Sequence, residues 1–580
     1  MTAWIMLNMA PIMFGCLALF LVSGVPVAFA LVSCGLVFGF IGIELGMLPP
    51  SLMQALPLRM LGIMSNETLL AIPFFTFMGL VLQRSGMAED LLETVGQVFG
   101  RMRGGLALAV VVVGSLLAAT TGVVAASIIA MGLISMPIML RYGYDRRVAS
   151  GVITAAGSLA QVVPPSLVLI VMADQLGRSV GEMYAGALLP AVMLIGAYAA
   201  LVVIMALVFP KMLPALPPEA LIYKEADGAS GSRSLLVLTA LSCVAGWLAL
   251  HFYPYVLEAI DRNVDAPKDE LVMVALAGGV LFAFFAALAD TLLGTRWLSR
   301  LARRVAFVLI PPLLLIFLVL GTIFLGIATP TEGGAMGAVG ALILAVARRR
   351  LDINQAIDAL LATTKLAAFV LFILLGATVF SLTFQAVDGN VWVEHLFDKL
   401  PGGSTGFLIA VTAMVFVLGF FLDFFEIAFI LLPLLAPIAN KLEIDLIWFG
   451  VLIGINLQTS FLTPPFGFAL FYLRSVAPSE DYVDAETGQK IARITTGQIY
   501  AGALPFIAIQ VVLLGLIIAY PQLVIGERAH AAKVKLKQGV ISERMLEMAP
   551  GGEYQTGPAM DMNALFGLPP EPPASAPVDK

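Results

Sequence analysis

Two diprolines, Pro164–Pro165 and Pro464–Pro465, interrupt long apolar runs, and each is surrounded by hydroxyl and amide side chains. Ser158, Gln161 and Ser166 flank the first; Asn456, Gln458, Thr459, Ser460, Thr463 and Gly467 flank the second. Proline lacks a backbone N–H and clashes with the preceding turn, so a pair of them interrupts a helix and leaves carbonyl oxygens unbonded. Inside a bilayer such a break persists only where it is buried in protein or lines a wet cavity. Neutral carbonyl, hydroxyl and amide oxygens suit a hard cation such as sodium, while inward-pointing half-helix N-termini attract an anion. The alternative is that the hydroxyls bond their own i−4 carbonyls and the prolines only kink packed helices.

The surroundings of the two breaks agree in register. Pro137 answers Pro437 and Asp145 answers Asp445, at the same offset that separates the diprolines. Tyr184-Ala-Gly-Ala-Leu-Leu-Pro190 follows the first break and Tyr500-Ala-Gly-Ala-Leu-Pro505 the second. This series points to an internal duplication with one broken helix per half, the pattern that marks a secondary transporter's binding site. Each broken helix is preceded by an apolar hairpin, at 104–140 and 405–440. The first tip is small and polar (Thr120, Thr121, Gly122, Ser127), and the second reads Phe421-Leu-Asp-Phe-Phe-Glu426. Both are expected to re-enter on their own side and meet a broken helix. An intramembrane carboxylate is costly enough to be functional by default, so Asp423 is a candidate ligand and Glu426 a weaker one.

Composition sets the solvent. Of 580 residues, 60% are hydrophobic and 12% charged, against about 25% charged in soluble domains. A polytopic helical membrane protein follows. Cys16, Cys34 and Cys243 all lie in apolar runs, which excludes a disulfide framework. His251, His395 and His530 are isolated in sequence, and no Walker-type loop is present; Thr487-Gly-Gln-Lys490 lacks the first glycine and the hydroxyl. No nucleophile motif appears, so enzymatic function is not expected, and no transition metal or nucleic acid partner either.

The first half, 1–210, is read as spans at 4–22, 24–43 and 68–83, with a connector at 44–67, an interfacial stretch at 83–103, the hairpin, a broken helix at 148–173 and a span at 183–209. The N-terminus is read as a first span, not a removed signal. An insert, 211–304, carries two further apolar segments at 235–253 and 271–290. The second half, 305–523, repeats the order with spans at 305–327, 328–347 and 363–385, the hairpin, a broken helix at 446–472 and a closing span at 499–520. The polar tail, 524–580, ends in a Gly/Pro-rich stretch and is expected to be disordered. Arginine-rich loops (Arg141/Arg146/Arg147, Arg296–Arg304, Arg348–Arg350) belong in the cytoplasm and the acid-leaning loops 254–270 and 386–400 outside. Those assignments put the first hairpin open to the cytoplasm and the second open to the outside, an inverted repeat. The same count places Lys533, Lys535 and Lys537 outside, against the charge rule. Glu332, opening a helix after Pro330, reads as a cap, and Gly333, Gly334, Gly337 and Gly340 as a close-packing face.

At these residues the chain resembles the large membrane subunit of tripartite ATP-independent periplasmic (TRAP) transporters, in its longer subgroup. The resemblance rests on Ile72-Pro-Phe-Phe-Thr-Phe-Met-Gly79, Gly104-Gly105, Pro137-Ile-Met-Leu-Arg-Tyr-Gly-Tyr144, Pro164-Pro-Ser166, Thr329-Pro-Thr-Glu332, Thr463-Pro-Pro-Phe-Gly467 and Leu504-Pro-Phe506. It implies an elevator-type carrier with scaffold and transport domains in the bacterial inner membrane. It also implies sodium as coupling ion, a small four-helix membrane subunit, and a periplasmic binding protein delivering an organic acid anion. By that analogy sodium lies where each hairpin tip meets its broken helix. One departure is Val123, where family members often carry a third hydroxyl; only its carbonyl remains available. A stand-alone anion symporter and a non-transporting membrane scaffold are the competing readings.

Overall fold

A computed structural model describes residues 2–223, 231–259, 268–295, 297–398, 401–484 and 487–526. The expected disorder of the tail, its three lysines, His530 and Arg296 lie outside the described residues. The chain is an all-α polytopic membrane protein. Ten of the described helices are long and apolar enough to cross a bilayer, and the pair Ser51–Met64 and Glu67–Arg84 forms an eleventh, bent by 49°. The connector expected at 44–67 is thus largely helical. Asn66 sits at the bend and its side chain accepts from Thr68 N.

We label the principal helices in chain order: α1 (Met9–Val22), α2 (Val27–Glu44), α3 (Ala71–Arg84), α4 (Met87–Phe99), α5 (Gly105–Thr121), α6 (Val124–Arg141), α7 (Arg146–Ser158), α8 (Leu167–Gln175) and α9 (Val180–Val208). The insert contributes α10 (Ser232–Ala259) and α11 (Lys268–Leu293). Then come α12 (Arg300–Phe324), α13 (Pro330–Ala347), α14 (Ile353–Ala386), α15 (Gly389–Asp398), α16 (Gly403–Leu418), α17 (Phe424–Lys441), α18 (Leu446–Leu462), α19 (Phe468–Val476) and α20 (Thr496–Ala519). The span read at 363–385 begins ten residues earlier, because Asp352 and Gln355 form a capping box that starts α14. A two-residue antiparallel ladder, Tyr482–Val483 with Lys490–Ile491, was not foreseen; two short strands leave no readable alternation.

The matching aspartates share one job. Asp145 caps α7 by accepting from Arg147 N, and Asp445 caps α18 by accepting from Ile447 N and Trp448 N. Pro137 and Pro437 lie inside α6 and α17. Glu332 is a cap as read, in a capping box with Thr329.

Packing between the halves is reciprocal. The first broken helix packs on the last long helix, α20, while the second, α18, packs on α9. Likewise α8 packs on α17, and α19 on α6. The α7–α20 contact is backbone on backbone: a Cβ on Gly151 would fall 2.0 Å from Gly502 O, and one on Gly502 2.0 Å from Arg147 O. Ser158 and Gln458, equivalent by the register offset, bond to each other, Gln458 Nε2 donating to Ser158 Oγ at 3.1 Å.

The two ends of α9 separate the hairpin bases. At its C-terminal end Asp145 N donates to Met212 O and Gly104 N to Leu213 O. At its N-terminal end Gly186 abuts Ile447 and Val524. With 29 residues at about 1.5 Å each, α9 is long enough to cross the bilayer. The first hairpin therefore opens at one end of α9 and the second at the other.

Charges sort accordingly. Asp90 of α4 gathers Arg304 at 3.0 Å and Arg348 and Arg350 at 3.1 Å each, joining two arginine clusters read as cytoplasmic. The stretch expected to be merely interfacial, 83–103, is thus a buried helix face with Leu91, Leu92 and Val95 inside. Arg141, at the first hairpin's base, pairs with Asp484 at 3.1 Å. The Asp484 carboxyl is held below its ordinary value, chiefly by the Thr487 hydroxyl and also by Thr487 N–H and Arg141.

Candidate functional site

Both diprolines break their helices. In the first half α7 ends at Ser158, a 3-10 turn covers Leu159–Gln161, and α8 resumes at Leu167. In the second α18 ends at Leu462 and α19 resumes at Phe468. Both Pro–Pro peptide bonds are cis. Among the described residues no hydrogen bond reaches the carbonyls of Pro164, Pro165, Pro464 or Phe466. Each break receives one tyrosine hydroxyl: Tyr184 donates to Ser166 O at 3.4 Å, Tyr500 to Pro465 O at 2.9 Å. The repeated Tyr-Ala-Gly-Ala-Leu stretch was legible as a marker of duplication, but its hydroxyl's role needed the fold.

The first tip meets its break. Gly122 terminates α5 in the left-handed region (φ 59°), where glycine is unstrained. A Cβ there would fall 3.0 Å from Leu167 Cγ and 3.3 Å from Leu167 N, so the turn lies on the start of α8. Above it sits α3, where a Cβ on Gly79 would fall 2.4 Å from Thr121 Cα. Gly79 was read only as part of a motif; its task is to let α3 touch the tip's backbone. Thr120, Thr121, Gly122, Pro164, Pro165 and Ser166 are all buried.

The hydroxyls mostly satisfy themselves. Thr120 and Thr121 donate to Leu117 O at 3.0 and 2.8 Å, and Thr121 Oγ1 shares a 2.6 Å bond with Ser127 Oγ. Ser158 donates to Ala155 O, Ser166 to Gln161 O, Thr459 to Ile455 O and Thr463 to Thr459 O. A hydroxyl that donates in this way keeps its lone pairs, so an ion can still be accepted. The amides differ. Gln161 has neither Nε2 nor Oε1 bonded, and Asn456 Oδ1 and Gln458 Oε1 lack partners, all buried. Buried unpaired amides are rare and costly, and these keep free capacity to bond a water or an ion.

The second tip also meets its break, through different chemistry. A Cβ on Gly419 would fall 2.6 Å from Ser460 Oγ, and the Phe421 and Phe466 rings sit 5.3 Å apart. Asp423 is the N-cap of α17: its Oδ1 accepts from Phe424 N, and Glu426 Oε2 accepts from Asp423 N. This capping box went unread, although Asp-x-x-Glu before an apolar run is its signature. Asn456 and Ser460 bond Thr412 O and Phe416 O on the first arm of this hairpin, below its tip. Gly467 closes the turn by donating to Thr463 O. Among the described residues no group of three His, Cys, Asp or Glu could hold a metal.

The chain is similar to several known transport proteins. The permease DctM of Pseudomonas aeruginosa, a C4-dicarboxylate TRAP transporter large permease protein, is 28% identical over 74% of this chain and 82% of its own length. That of Rhodobacter capsulatus is 26% identical over 80% and 89%. The isethionate TRAP transporter permease protein DctMQ of Oleidesulfovibrio alaskensis is 24% identical over 80% of this chain, which spans 60% of that protein. A crystal structure of the Alcanivorax borkumensis YdaH transporter superposes with a TM-score of 0.47 at 16% identity, covering 82% of this chain and 90% of its own. The sequence model described as "Tripartite ATP-independent periplasmic transporter, DctM component" matches residues 14–523. With that match running from the first long helix past the last, the chain belongs to the DctM family of large TRAP permeases, inner-membrane proteins.

Proposed function

We propose that the chain is the carrier subunit of a sodium-driven uptake system for an organic anion, built as an inverted repeat and working as an elevator. The observation that carries this reading is the pairing of each helix break with a hairpin tip, among unbonded carbonyls and buried, unpartnered amide oxygens. That donor set, neutral and oxygen-only, suits sodium. The orphaned Oε1 of Gln161 and Gln458 and Oδ1 of Asn456 are where an ion or its water fits. The cargo class follows the relatives, whose names specify C4-dicarboxylates and isethionate, all organic anions.

In this reading 1–210 and 305–523 are the inverted repeats. The hairpins, broken helices, α9 and α20 form the moving transport part, and α1–α3 with α12–α14 the scaffold. The insert 211–304 extends the scaffold, and 524–580 is an appendage. A small four-helix membrane subunit and a periplasmic binding protein complete the system, by family analogy. Uptake into proteoliposomes holding the membrane components and the soluble receptor tests it: replacing sodium with choline should abolish accumulation. Sodium-independent accumulation refutes the coupling. Substantial uptake without any soluble receptor would favour a stand-alone symporter. Uptake unchanged after Leu replaces Pro464 and Pro465 would leave only a scaffold role.

A further inference from the structure

One cavity, about 420 Å³ in volume, lies away from both breaks. Three segments line it as a cleft open to solvent, with Arg178 and Ser179 exposed: the α8–α9 junction with Asp174, Arg178 and Ser179, the bend before α3 with Thr68, and the α12–α13 junction with Gly326 and Pro330. Three of its side chains, Arg178, Ser179 and Thr68, offer donors that no protein acceptor takes up among the described residues. The Arg178 guanidinium makes no ion pair or hydrogen bond among the described residues. Neither the Ser179 nor the Thr68 hydroxyl makes one either. Asp174, the acid in the lining, is already engaged by neutral amides: Asn66 Nδ2 donates to Oδ1 at 2.8 Å and Gln175 Nε2 to Oδ2 at 3.0 Å. Asp174 keeps its charge and makes no ion pair with Arg178.

A planar guanidinium with free N–H groups selects a two-oxygen acceptor by paired parallel bonds. At about 30 Å³ per water, the cavity holds roughly a dozen waters, so a small organic acid fits whole. Its position agrees. The cavity includes the N-terminal end of α9, the end at which the second hairpin opens and which the arginine distribution puts outside.

We propose that this cavity is an outer receiving site for the carboxylate of a small organic acid, held by Arg178 with the Ser179 and Thr68 hydroxyls, separate from the two breaks. It rests on the organic-anion reading above for the identity of its natural ligand and on the elevator reading for the division of its walls. Its walls belong to both parts of the proposed elevator: Arg178 and Ser179 travel with the broken helix, Thr68 and Pro330 stay with the scaffold. An acid bound there holds the two parts in the arrangement seen here.

The test is calorimetric titration of the purified full chain in detergent with succinate as the probe, in choline and in sodium buffers. The outer site has a guanidinium and needs no coupling ion, so wild type should bind succinate in choline. Arg178→Ala should weaken that binding tenfold or more, about 1.4 kcal/mol per tenfold. Arg178→Lys, which keeps the charge and loses the fork, should recover part of it. Equal melting temperatures establish that the variants are folded. Absence of binding in choline, or binding that survives Arg178→Ala, overturns the proposal. So does a variant that binds succinate normally yet takes delivery from the soluble receptor slowly, because the carboxylate would then belong to that protein. Failure of a sodium-dependent binding event alone would count against the central site and leave this one standing.

Discussion

The two half-sites share a plan but not an environment. The first tip is sealed: α3 lies on Thr121, Gly122 lies on Leu167, and Ser166 is 0% exposed. The second is open: Phe421 is 58% and Phe466 46% exposed, and Pro465 is exposed beside them. Sequence equivalence at this offset would have made them alike. On the carrier reading proposed above, one covered and one exposed half corresponds to a single state of an alternating cycle. The difference teaches that two breaks matched in sequence are covered to different degrees, the first by α3 packed on its tip.

The severest way to break the comparison is to keep the first gate from seating. Gly79→Leu drives a side chain into Thr121 backbone, which cannot yield as a flexible side chain would. Overpacking of this kind costs about 1–3 kcal/mol, and uptake should fall to background. Gly196→Leu, where nothing lies within 4 Å of a Cβ, should transport normally; equal uptake in both would show that the α3 contact is incidental.

Next in size is the orphaned amide. Gln161→Leu removes two buried, unpartnered polar atoms, so the fold should become more stable, by about 1–3 kcal/mol on the cost of an unsatisfied group. Sodium affinity should nevertheless drop at least tenfold. A variant that is more stable and binds sodium as before would reduce Gln161 to a packing residue.

Accessibility sharpens the asymmetry directly. With Cys16, Cys34 and Cys243 replaced, a cysteine at Phe466 should react with a water-soluble maleimide at least tenfold faster than one at Ser166. Comparable rates would mean that the open and closed halves are not distinct in solution.

The smallest effect concerns Asp484, which tethers the loop after α19 to the first hairpin's base. Its carboxyl is lowered on folding, so its contribution is complete above the unfolded value near 4 and is lost as pH falls through the folded value. Thermal unfolding scans should therefore lose a small increment of melting temperature below about pH 4 that Asp484→Asn lacks. A parallel pH dependence in the two proteins would remove Asp484 from the account.

Much of this was readable residue by residue. The diprolines, the hairpins, the shared offset and the Thr329/Glu332 cap are local patterns, and local backbone chemistry makes them real. Side-chain bonding was less legible. Ser158, Ser166, Thr459 and Thr463 each donate to a nearby carbonyl, because the local backbone offers one within reach, and keep their lone pairs for an ion. Asp423 caps α17, a role that the ligand reading of this residue did not include. Gly79, Tyr184 and Tyr500 are far in sequence from the atoms they serve, and no spacing rule connects them.

The sequence alone determined the solvent, the helical class and the places where the helices break, since hydrophobic run length and proline's missing N–H act within one segment. Only the tertiary structure decided which hydroxyls are spent on their own helix, which amides are left unpaired and which of the two tips is covered. Those outcomes depend on what packs across the bilayer from another part of the chain, and a pattern that repeats with fixed spacing cannot specify two different surroundings for its copies.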